Sequence, residues 1–219
     1  EMKLPEIMLN DLDWYRDNGI TLHAGRKVVK IDRIRRKVVA EDGTEESYDR
    51  LLLATGSVPF MPPIPGRDLP GVPAYREISY RDIKDTDEMI ATAATHKHAV
   101  VIGGGLLGLE AANGLKLRGM DVTVVHLADW LMERQLDQVS ADMLQASLEA
   151  RGLTFLLGKQ TEALVQGESG RVCAVRMKDG LEIPADLVVV AAGIRPNTAL
   201  AEAAGLHCNR GIVVNDTLQ

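Results

Sequence analysis

The hydrophobic residues of this chain fall into short aliphatic runs, and each run leads into a glycine. Residues 51–54, 99–102 and 187–191 are apolar throughout, and a glycine follows within two positions of each. Strands without polar residues on either face belong in the buried middle of a parallel sheet. Residues 106–118 follow the second run and carry apolar residues at helical spacing, which predicts an amphipathic helix. The pattern predicts strand–glycine–helix units of an α/β protein.

The same unit occurs twice along the chain. Residues 19–25 are matched by residues 152–158, which lie 133 positions later, and residues 51–56 are matched by residues 188–193, which lie 137 positions later. Because these features recur in the same order, an internal repeat explains them better than chance similarity does.

Each copy also contains a polar, β-branched stretch that turns at an Asp-Gly pair, at residues 42–43 and at residues 179–180. This pattern predicts a small antiparallel meander, preceded by a short strand at residues 21–23 or 154–157. Proline-rich residues 56–73 then predict an extended linker between the copies. Ser79–Asp82, just beyond the linker, has the spacing of a capping box for a helix.

A glycine turn separates the strand at residues 99–102 from the helix that follows. Gly103, Gly105 and Gly108 have the spacing of the dinucleotide fingerprint. The first glycine permits the tight turn, the second lets backbone N–H groups approach a pyrophosphate, and the third allows close packing of helix on strand. The positive end of the helix would then face the phosphates. The cofactor-binding candidates in this loop are Gly103, Gly105, Leu106, Leu107 and Gly108.

The fold class we expect is α/β: a Rossmann-like dinucleotide-binding domain with a central parallel sheet and a three-stranded meander, plus an incomplete second copy of the same unit. The first copy is incomplete because subtracting the repeat offset from Gly103 gives a position before residue 1. We therefore expect the chain to be a piece of a longer protein. A glycine turn that binds nothing is the competing interpretation of the loop, and the flanking strand and amphipathic helix favour the nucleotide.

Composition excludes several functional classes. The 25 basic and 31 acidic residues give a net charge of -6, which argues against nucleic acid or an anionic membrane surface as the main partner. The aliphatic runs are too short to span a membrane, and we find no secretory signal, so a cytoplasmic location is expected. Cys173 and Cys208 are too far apart for a zinc pair or a redox dithiol. Cys173 is predicted to pack in the core because its strand is apolar.

Several motifs together resemble a known family. Residues 100–110, with the sequence Val-Val-Ile-Gly-Gly-Gly-Leu-Leu-Gly-Leu-Glu, and residues 54–57 and 192–197 are similar to the pyridine-nucleotide flavoprotein reductases. That family carries two dinucleotide-binding domains, one for FAD and one for NAD(P)H, which accounts for the repeat. Within it, the chain most resembles the large subunits of assimilatory NAD(P)H-dependent nitrite reductases, at residues 75–76, 131–137 and 210–216.

The resemblance implies a domain organisation and a reaction. Residues 1–64 would be a partial FAD-binding domain, residues 65–192 the NAD(P)H-binding domain, and residues 193–219 a truncated segment returning to the FAD-binding domain. The implied reaction is hydride transfer from nicotinamide to flavin, then electron transfer to a 4Fe-4S cluster and sirohaem outside this chain. Expected partners are the C-terminal segments holding those centres, a small subunit and a second copy of the chain. The isolated chain is expected to be inactive and to lack a complete FAD site.

The resemblance also assigns residues to the cofactors. Thr55 and Gly56 match the segment that passes the flavin dinucleotide, and Glu110 matches a glutamate near the nicotinamide. Gly193 matches the point where the chain leaves the NAD(P)H-binding domain. The resemblance assigns no catalytic side chain and no metal ligand within this chain.

Position 126 bears on the choice between NADH and NADPH. The second strand of a dinucleotide-binding unit commonly ends with an acidic residue that binds the ribose hydroxyls and repels a 2′-phosphate. His126 occupies that position here. Without a carboxylate the repulsion is lost, and a protonated imidazole would favour phosphate. The sequence therefore predicts weak discrimination, with NADPH tolerated.

Other functions remain compatible with the sequence. A ferredoxin or rubredoxin reductase and an NADH oxidase are the alternatives within the same NAD(P)H-dependent oxidoreductase family. A nucleotide-binding module without turnover is the alternative outside the enzymes. The identity of the electron acceptor distinguishes the reductases and the oxidase from one another. Reduction of a bound flavin by NADH distinguishes all of these enzymes from a nucleotide-binding module without turnover.

Overall fold

A computed structural model describes residues 9–72 and 83–219 of the chain. The predicted helix cap at Ser79–Asp82 and the pair at residues 75–76 lie outside the described residues. The chain divides into two compact units, one of Glu1–Thr55 with Thr198–Gln219 and one of Gly56–Asn197.

Helices and strands alternate through most of the described chain. The helices are α1 (Leu12–Asp17), α2 (Ile83–Ala93), α3 (Leu106–Leu117), α4 (Gln138–Glu149) and α5 (Ala199–Ala203). The strands are β1 (Val28–Asp32), β2 (Lys37–Ala40), β3 (Glu45–Ser47), β4 (Ser57–Pro59), β5 (His98–Ile102), β6 (Asp121–Val125), β7 (Thr154–Leu156), β8 (Thr161–Gln166), β9 (Val172–Met177), β10 (Glu182–Pro184), β11 (Leu187–Val190) and β12 (Ile194–Pro196).

A four-stranded parallel sheet in the order β11–β5–β6–β7 forms the centre of the unit Gly56–Asn197. Val100 of β5 lies opposite Val188 of β11 on one side and Thr123 of β6 on the other. All four residues of β11 are buried, as the continuous aliphatic run predicts. The expected α/β fold with a central parallel sheet is confirmed.

Two apolar clusters explain why β11, and β5 after its exposed first residue His98, carry no polar residue. Val101 belongs to a cluster with Leu109 and Leu115 of α3. Its neighbour Val100 belongs to a second cluster, with Val175 of the antiparallel sheet. Consecutive residues of one strand are thus buried in different clusters, because successive side chains of a strand point to opposite faces.

The internal repeat is visible in the two antiparallel sheets, β1–β2–β3 and β10–β9–β8. Their Asp-Gly turns are built alike: the carboxylates of Asp42 and Asp179 accept the N–H two residues on, at 3.0 and 3.2 Å. Gly43 and Gly180 have φ angles of +83° and +86°, which a side chain would disfavour. Both predicted meanders are therefore present, with the same turn chemistry.

The proline-rich stretch packs along the larger unit and is not a free linker. β4 pairs in antiparallel fashion with β12. Further on, the carbonyl oxygens of Pro65, Pro70 and Gly71 accept hydrogen bonds from β8, β9 and β11 at 2.9, 3.0 and 2.9 Å. Proline lacks an N–H but keeps its carbonyl, so an extended proline-rich segment can still bind along a sheet. Val72 at its end is only 1% exposed.

Two predicted strands of the first copy, residues 21–23 and 51–54, are not strands in the structure. Leu52 is 86% exposed, whereas the matching strand β11 is buried beside β5. A strand requires a neighbour that satisfies its backbone N–H and C=O groups. Among the described residues no strand pairs with either stretch. The aliphatic run at residues 51–54 was therefore not enough to predict a strand.

The predicted burial of Cys173 is wrong. Val172 and Val175 of β9 are buried, but Cys173 between them is exposed. β9 belongs to an antiparallel sheet, and such a sheet can leave one face to solvent even where its sequence is apolar.

The smaller unit has few buried apolar side chains among its described residues. Ile31 and Ala40 of the meander and Ala201 of α5 are buried. Arg33 donates hydrogen bonds to the carbonyl oxygens of Ala204 and Gly205, both at 3.3 Å, just beyond the end of α5. A cation at this end of a helix satisfies the last carbonyl groups.

Within residues 9–72 and 83–219, none of the helices has the length and apolar character needed to cross a membrane.

Asp186 joins the starts of β5 and β11. Its carboxylate accepts the backbone N–H groups of His98 at 2.9 Å and Lys97 at 3.2 Å. Burial raises the pKa of this carboxyl, but the two N–H donors outweigh it, and the pKa lies below its usual value. The charged form is therefore the one that the fold stabilises.

We expect Asp186→Ala to lower the free energy of unfolding of the larger unit by about 1–2 kcal/mol at neutral pH, because two backbone donors lose their acceptor. A depressed folded-state pKa contributes stability above the unfolded-state pKa, and this contribution disappears as pH falls below about 4. Urea unfolding at pH 7 and at pH 3 measures both effects. A deficit that is the same at both pH values would contradict the assignment to the charged carboxylate.

Candidate functional site

A tight turn leads from β5 into α3 at the carboxyl edge of the parallel sheet. β6 and β7 continue the sheet on one side of β5, whereas β11 lies on the other side. The edge between β5 and β11 is therefore the point where the strand order reverses, and open α/β sheets bind ligands at such a point.

Gly103 and Gly108 make this turn possible by their lack of side chains. Gly103 has a φ angle of +125°, and a Cβ atom there would lie 2.3 Å from the carbonyl oxygen of Ala191. A Cβ atom at Gly108 would lie 2.0 Å from the carbonyl oxygen of Gly103. Strand β5, the end of β11 and helix α3 can therefore approach one another this closely only with glycine at both positions.

Gly105 is different, because the protein itself does not require glycine there. Its φ and ψ angles, -85° and 179°, are open to any residue. A Cβ atom at Gly105 would meet no protein atom within 4 Å. Gly105 is the N-cap of α3 and no side chain caps the helix, so the first N–H groups of α3 lack a helical partner. The open space at Gly105 therefore lies at the end of α3 where these backbone N–H groups lack a partner.

The helix α3 buries one side and exposes its beginning. Leu109 and Leu115 are buried in the core, whereas Leu106 and Leu107 are 57% and 44% exposed. Glu110 is exposed on the same helix. The predicted loop residues Leu106 and Leu107 thus lie at the surface beside Gly105 and not in the core.

Gly104 is a constrained residue that the fingerprint does not require. Its N–H donates to Nδ1 of His126 at 3.0 Å. A Cβ atom on Gly104 would lie 2.8 Å from Cγ of His126 and 2.8 Å from Cδ2 of Leu131. The available signal for this contact was the run of three consecutive glycines, in which the fingerprint requires only the first and the last, but the partners of Gly104 could not be identified from sequence.

His126 links the glycine turn to a carboxylate. Its Nε2 lies 3.0 Å from Oε2 of Glu133, and the two side chains are 11% and 34% exposed. Because Nδ1 accepts the Gly104 N–H, the imidazole proton resides on Nε2 and is donated to Glu133. The strand-end position carries His126 and no carboxylate, as the sequence indicates, but the loop after β6 brings the carboxylate of Glu133 to the imidazole.

The remaining candidate residues lie elsewhere. Gly193 is exposed, has a φ angle of +103°, and its carbonyl oxygen accepts the Phe60 N–H at 2.9 Å. Gly56 accepts the Asn197 N–H at 3.0 Å, so Gly56 and Gly193 border the β4–β12 ribbon. Thr55 belongs to the other compact unit. The structure brings together Gly103, Gly105, Gly108 and His126, and the cofactor roles of all these residues stay predictions.

No group of three or more His, Cys, Asp or Glu side chains in the described part of the chain is arranged to hold a metal ion. Cys173 and Cys208 are free thiols in different units.

Comparisons with known proteins agree with this geometry. The chain is 54% identical over 216 residues to the nitrite reductase [NAD(P)H] of Bacillus subtilis, covering 99% of this chain and 26% of that protein. It is 47% identical to the assimilatory nitrate reductase electron transfer subunit of the same organism, covering 100% of this chain and 28% of that protein. The chain thus spans only about a quarter of the length of these relatives.

Solved structures show the same fold. A ferredoxin reductase from Rhodopseudomonas palustris superposes with a TM-score of 0.88 at 31% identity, covering 97% of this chain and 51% of that one. The reductase in a covalent putidaredoxin reductase–putidaredoxin complex gives a TM-score of 0.91 at 31% identity, covering 100% and 52%. The sequence pattern of the pyridine nucleotide-disulphide oxidoreductases matches residues 4–219. This chain belongs to the pyridine nucleotide-disulphide oxidoreductase family.

Proposed function

We propose that this chain is the NAD(P)H-binding part, together with a portion of the FAD-binding part, of an electron-transfer flavoprotein reductase. In this proposal, reducing equivalents pass from NAD(P)H through FAD to centres that reduce nitrite to ammonia in nitrate assimilation. The observation that carries the proposal is the geometry at Gly105. Packing within the protein accounts for Gly103, Gly104 and Gly108, whereas at Gly105 it leaves open space beside the start of α3, as a bound pyrophosphate would require.

The residues of the loop fit a dinucleotide pyrophosphate. The helix that begins at Leu106 is 12 residues long, so its N-terminus carries a substantial partial positive charge. Its first N–H groups open onto the empty space above Gly105, and no side chain competes for them. A pyrophosphate there would accept hydrogen bonds from the backbone.

The proposal for FAD rests on family membership and on three candidate residues. Thr55, Gly56 and Gly193 would lie beside the flavin dinucleotide or at the return of the chain to the FAD-binding domain. The proposed boundaries remain residues 1–64, 65–192 and 193–219. When both dinucleotides are bound, they supply hydride transfer from nicotinamide to flavin and single-electron transfer beyond it.

Nitrite as the final acceptor is supported by the pattern of similarity. Identity to the Bacillus subtilis nitrite reductase is 54%, against 38% to an NADH oxidase from Methanocaldococcus jannaschii and 34% to a rubredoxin reductase from Pseudomonas putida. We accordingly propose that sirohaem and a 4Fe-4S cluster are held by other segments of the complete protein. A small subunit, a second copy of the chain and a cytoplasmic location are parts of the same proposal.

The proposed reaction is tested on the complete protein that contains this chain. Anaerobic mixing with NADH should bleach a bound flavin, and adding nitrite should sustain NADH oxidation. Flavin bleaching without nitrite-dependent turnover, but with turnover on ferredoxin, rubredoxin or oxygen, would favour the other reductases of the family. A bound flavin that NADH does not bleach would contradict the electron-transfer function.

We expect Gly105→Val to abolish NADH binding while the chain stays folded. The valine side chain would fill the space that the pyrophosphate requires, yet its Cβ atom would meet no protein atom within 4 Å. Loss of the glycine N-cap costs at most about 1 kcal/mol of stability. Isothermal titration with NADH measures binding, and circular dichroism measures folding.

The matched control is Gly114→Ala in the same helix. Gly114 is exposed, and a Cβ atom there has open space. Alanine should bind NADH as the unmodified chain does and should stabilise α3 by up to about 1 kcal/mol. If Gly105→Val binds NADH as tightly as the control, the loop is not the phosphate site.

In contrast to Gly105→Val, we expect Gly104→Ala to destabilise the fold. The added methyl group would collide with the imidazole of His126 and with Leu131, which is fully buried. We expect a loss of about 1–3 kcal/mol in the free energy of unfolding, as for other overpacked interiors. Urea unfolding measures this loss, and Gly105→Ala is the control, for which we expect little change in the free energy of unfolding. Equal stabilities of the two variants would contradict the packing described for Gly104.

A further inference from the structure

We propose that the neutral form of His126 holds the glycine turn in the shape that binds NADH, and that protonation of its Nδ1 atom weakens NADH binding. The inference rests on the proposed function, namely that the loop 103–108 binds the pyrophosphate of a nicotinamide dinucleotide. His126 acts here through Gly104 and not on the nucleotide, so it is a positioning residue. It makes NADH binding depend on pH in the range where an imidazole titrates.

The backbone of Gly104 is attached on both sides to the chain that follows β6. Its N–H donates to Nδ1 of His126, and its carbonyl oxygen accepts the Met132 N–H, both at 3.0 Å. Gly104 lies between Gly103, which makes the tight turn, and Gly105, which faces the open space. Loss of either bond therefore releases the backbone on which the phosphate site is built.

The imidazole of His126 is fixed in one orientation. The side chain is only 11% exposed, and its Nε2 atom lies 3.0 Å from Oε2 of Glu133. The ring packs directly on the turn, since a Cβ atom on Gly104 would lie 2.8 Å from its Cγ atom. Because Nε2 donates to the carboxylate, Nδ1 is the nitrogen left to accept from Gly104. Turning the ring over would put carbon atoms at both positions, and both bonds would be lost.

Protonation removes the acceptor that Gly104 uses. An imidazolium carries a proton on each nitrogen atom and accepts from neither. The Nδ1–H group would then face the Gly104 N–H, donor against donor, at a place that water reaches poorly. The bond to Glu133 persists and becomes charge-assisted, so the contact with Gly104 is the one that is lost. NADH binding is therefore strong while the imidazole is neutral and weakens as the pH falls through its titration.

Glu133 is the charged group in direct contact with the imidazole. The glycine turn has no charged side chain between residues 103 and 109. Lys159, whose N–H donates to the His126 carbonyl oxygen at 3.0 Å, pairs through its side chain with Asp179. The other charged residues of the loop after β6 are Asp129, Arg134 and Asp137. The Glu133 carboxylate stabilises the imidazolium, so the proton is accessible to a ring that is otherwise largely buried.

The test measures the dissociation constant of NADH by isothermal titration at about pH 8 and about pH 5.5. For the unmodified chain we expect it to rise by about tenfold at the lower pH. His126→Asn should abolish the rise, because the asparagine Oδ1 atom takes the place of Nδ1 and accepts the Gly104 N–H at both pH values. His126→Leu offers no acceptor and should bind NADH weakly at both. Circular dichroism monitors folding throughout.

The matched control is His98→Asn. His98 is the exposed first residue of β5, at the opposite end of this strand from the glycine turn. Its removal should leave the tenfold rise in place. Asp186, which accepts the His98 N–H, stays charged in this range because its pKa lies below its usual value.

A second measurement detects the coupling in the unmodified chain. Coupling between a proton and a nucleotide is reciprocal, so saturating NADH should move the midpoint of the His126 titration, followed by NMR, to lower pH. A tenfold coupling corresponds to about one pH unit. A residue that merely supports the fold would show no such shift, and an unmoved midpoint would contradict the proposal.

Other results would also overturn the proposal. Tighter NADH binding at acidic pH would show that an imidazolium attracts the pyrophosphate directly, and unchanged binding would show no coupling. The same weakening in His126→Asn, or its loss in His98→Asn, would place the responsible proton elsewhere. If the folded, unmodified chain bound NADH at neither pH, the proposed function would itself be wrong, and this outcome is distinct from the others.

Discussion

The arrangement of the larger unit depends on one close approach, in which β5, the end of β11 and α3 meet at Gly103. A Cβ atom at Gly103 would lie 2.3 Å from a carbonyl oxygen, and one at Gly108 would lie 2.0 Å from another. Because both positions lack side chains, α3 begins directly at the carboxyl edge of the sheet. Its free N–H groups are thereby presented at the point where the strand order reverses.

A second layer of contacts keeps that turn in its shape. Gly104 donates to His126 and accepts from Met132, and Leu131 fills the space beside it. Leu131 belongs to the same apolar cluster as Leu115 of α3, so the loop after β6 is part of the core and not an appendage of the surface. The residues that would contact a ligand are thus supported by residues that stabilise the fold.

Features that depend on local pattern could be predicted from the sequence. Aliphatic runs identified β5 and β11, and glycine spacing identified the phosphate loop and the repeat. Features that depend on a partner distant in the sequence could not be predicted in this way. Residues 51–54 have the pattern of β11 but pair with no strand among the described residues, and Cys173 is exposed although its strand is apolar. Glu133 reaches His126 only because a loop folds back, and no periodicity records that contact.

The central claim is that the N–H groups at the start of α3 bind the pyrophosphate of a nicotinamide dinucleotide. Amide hydrogen exchange of the isotope-labelled chain, followed by NMR with and without NADH, tests it directly. The account predicts that the amides of Leu106 and Leu107, which lack a helical partner, exchange markedly more slowly with NADH. The Gly104 amide, already bonded to His126, should change much less. Saturable NADH binding that leaves the exchange of Leu106 and Leu107 unaltered would contradict the account.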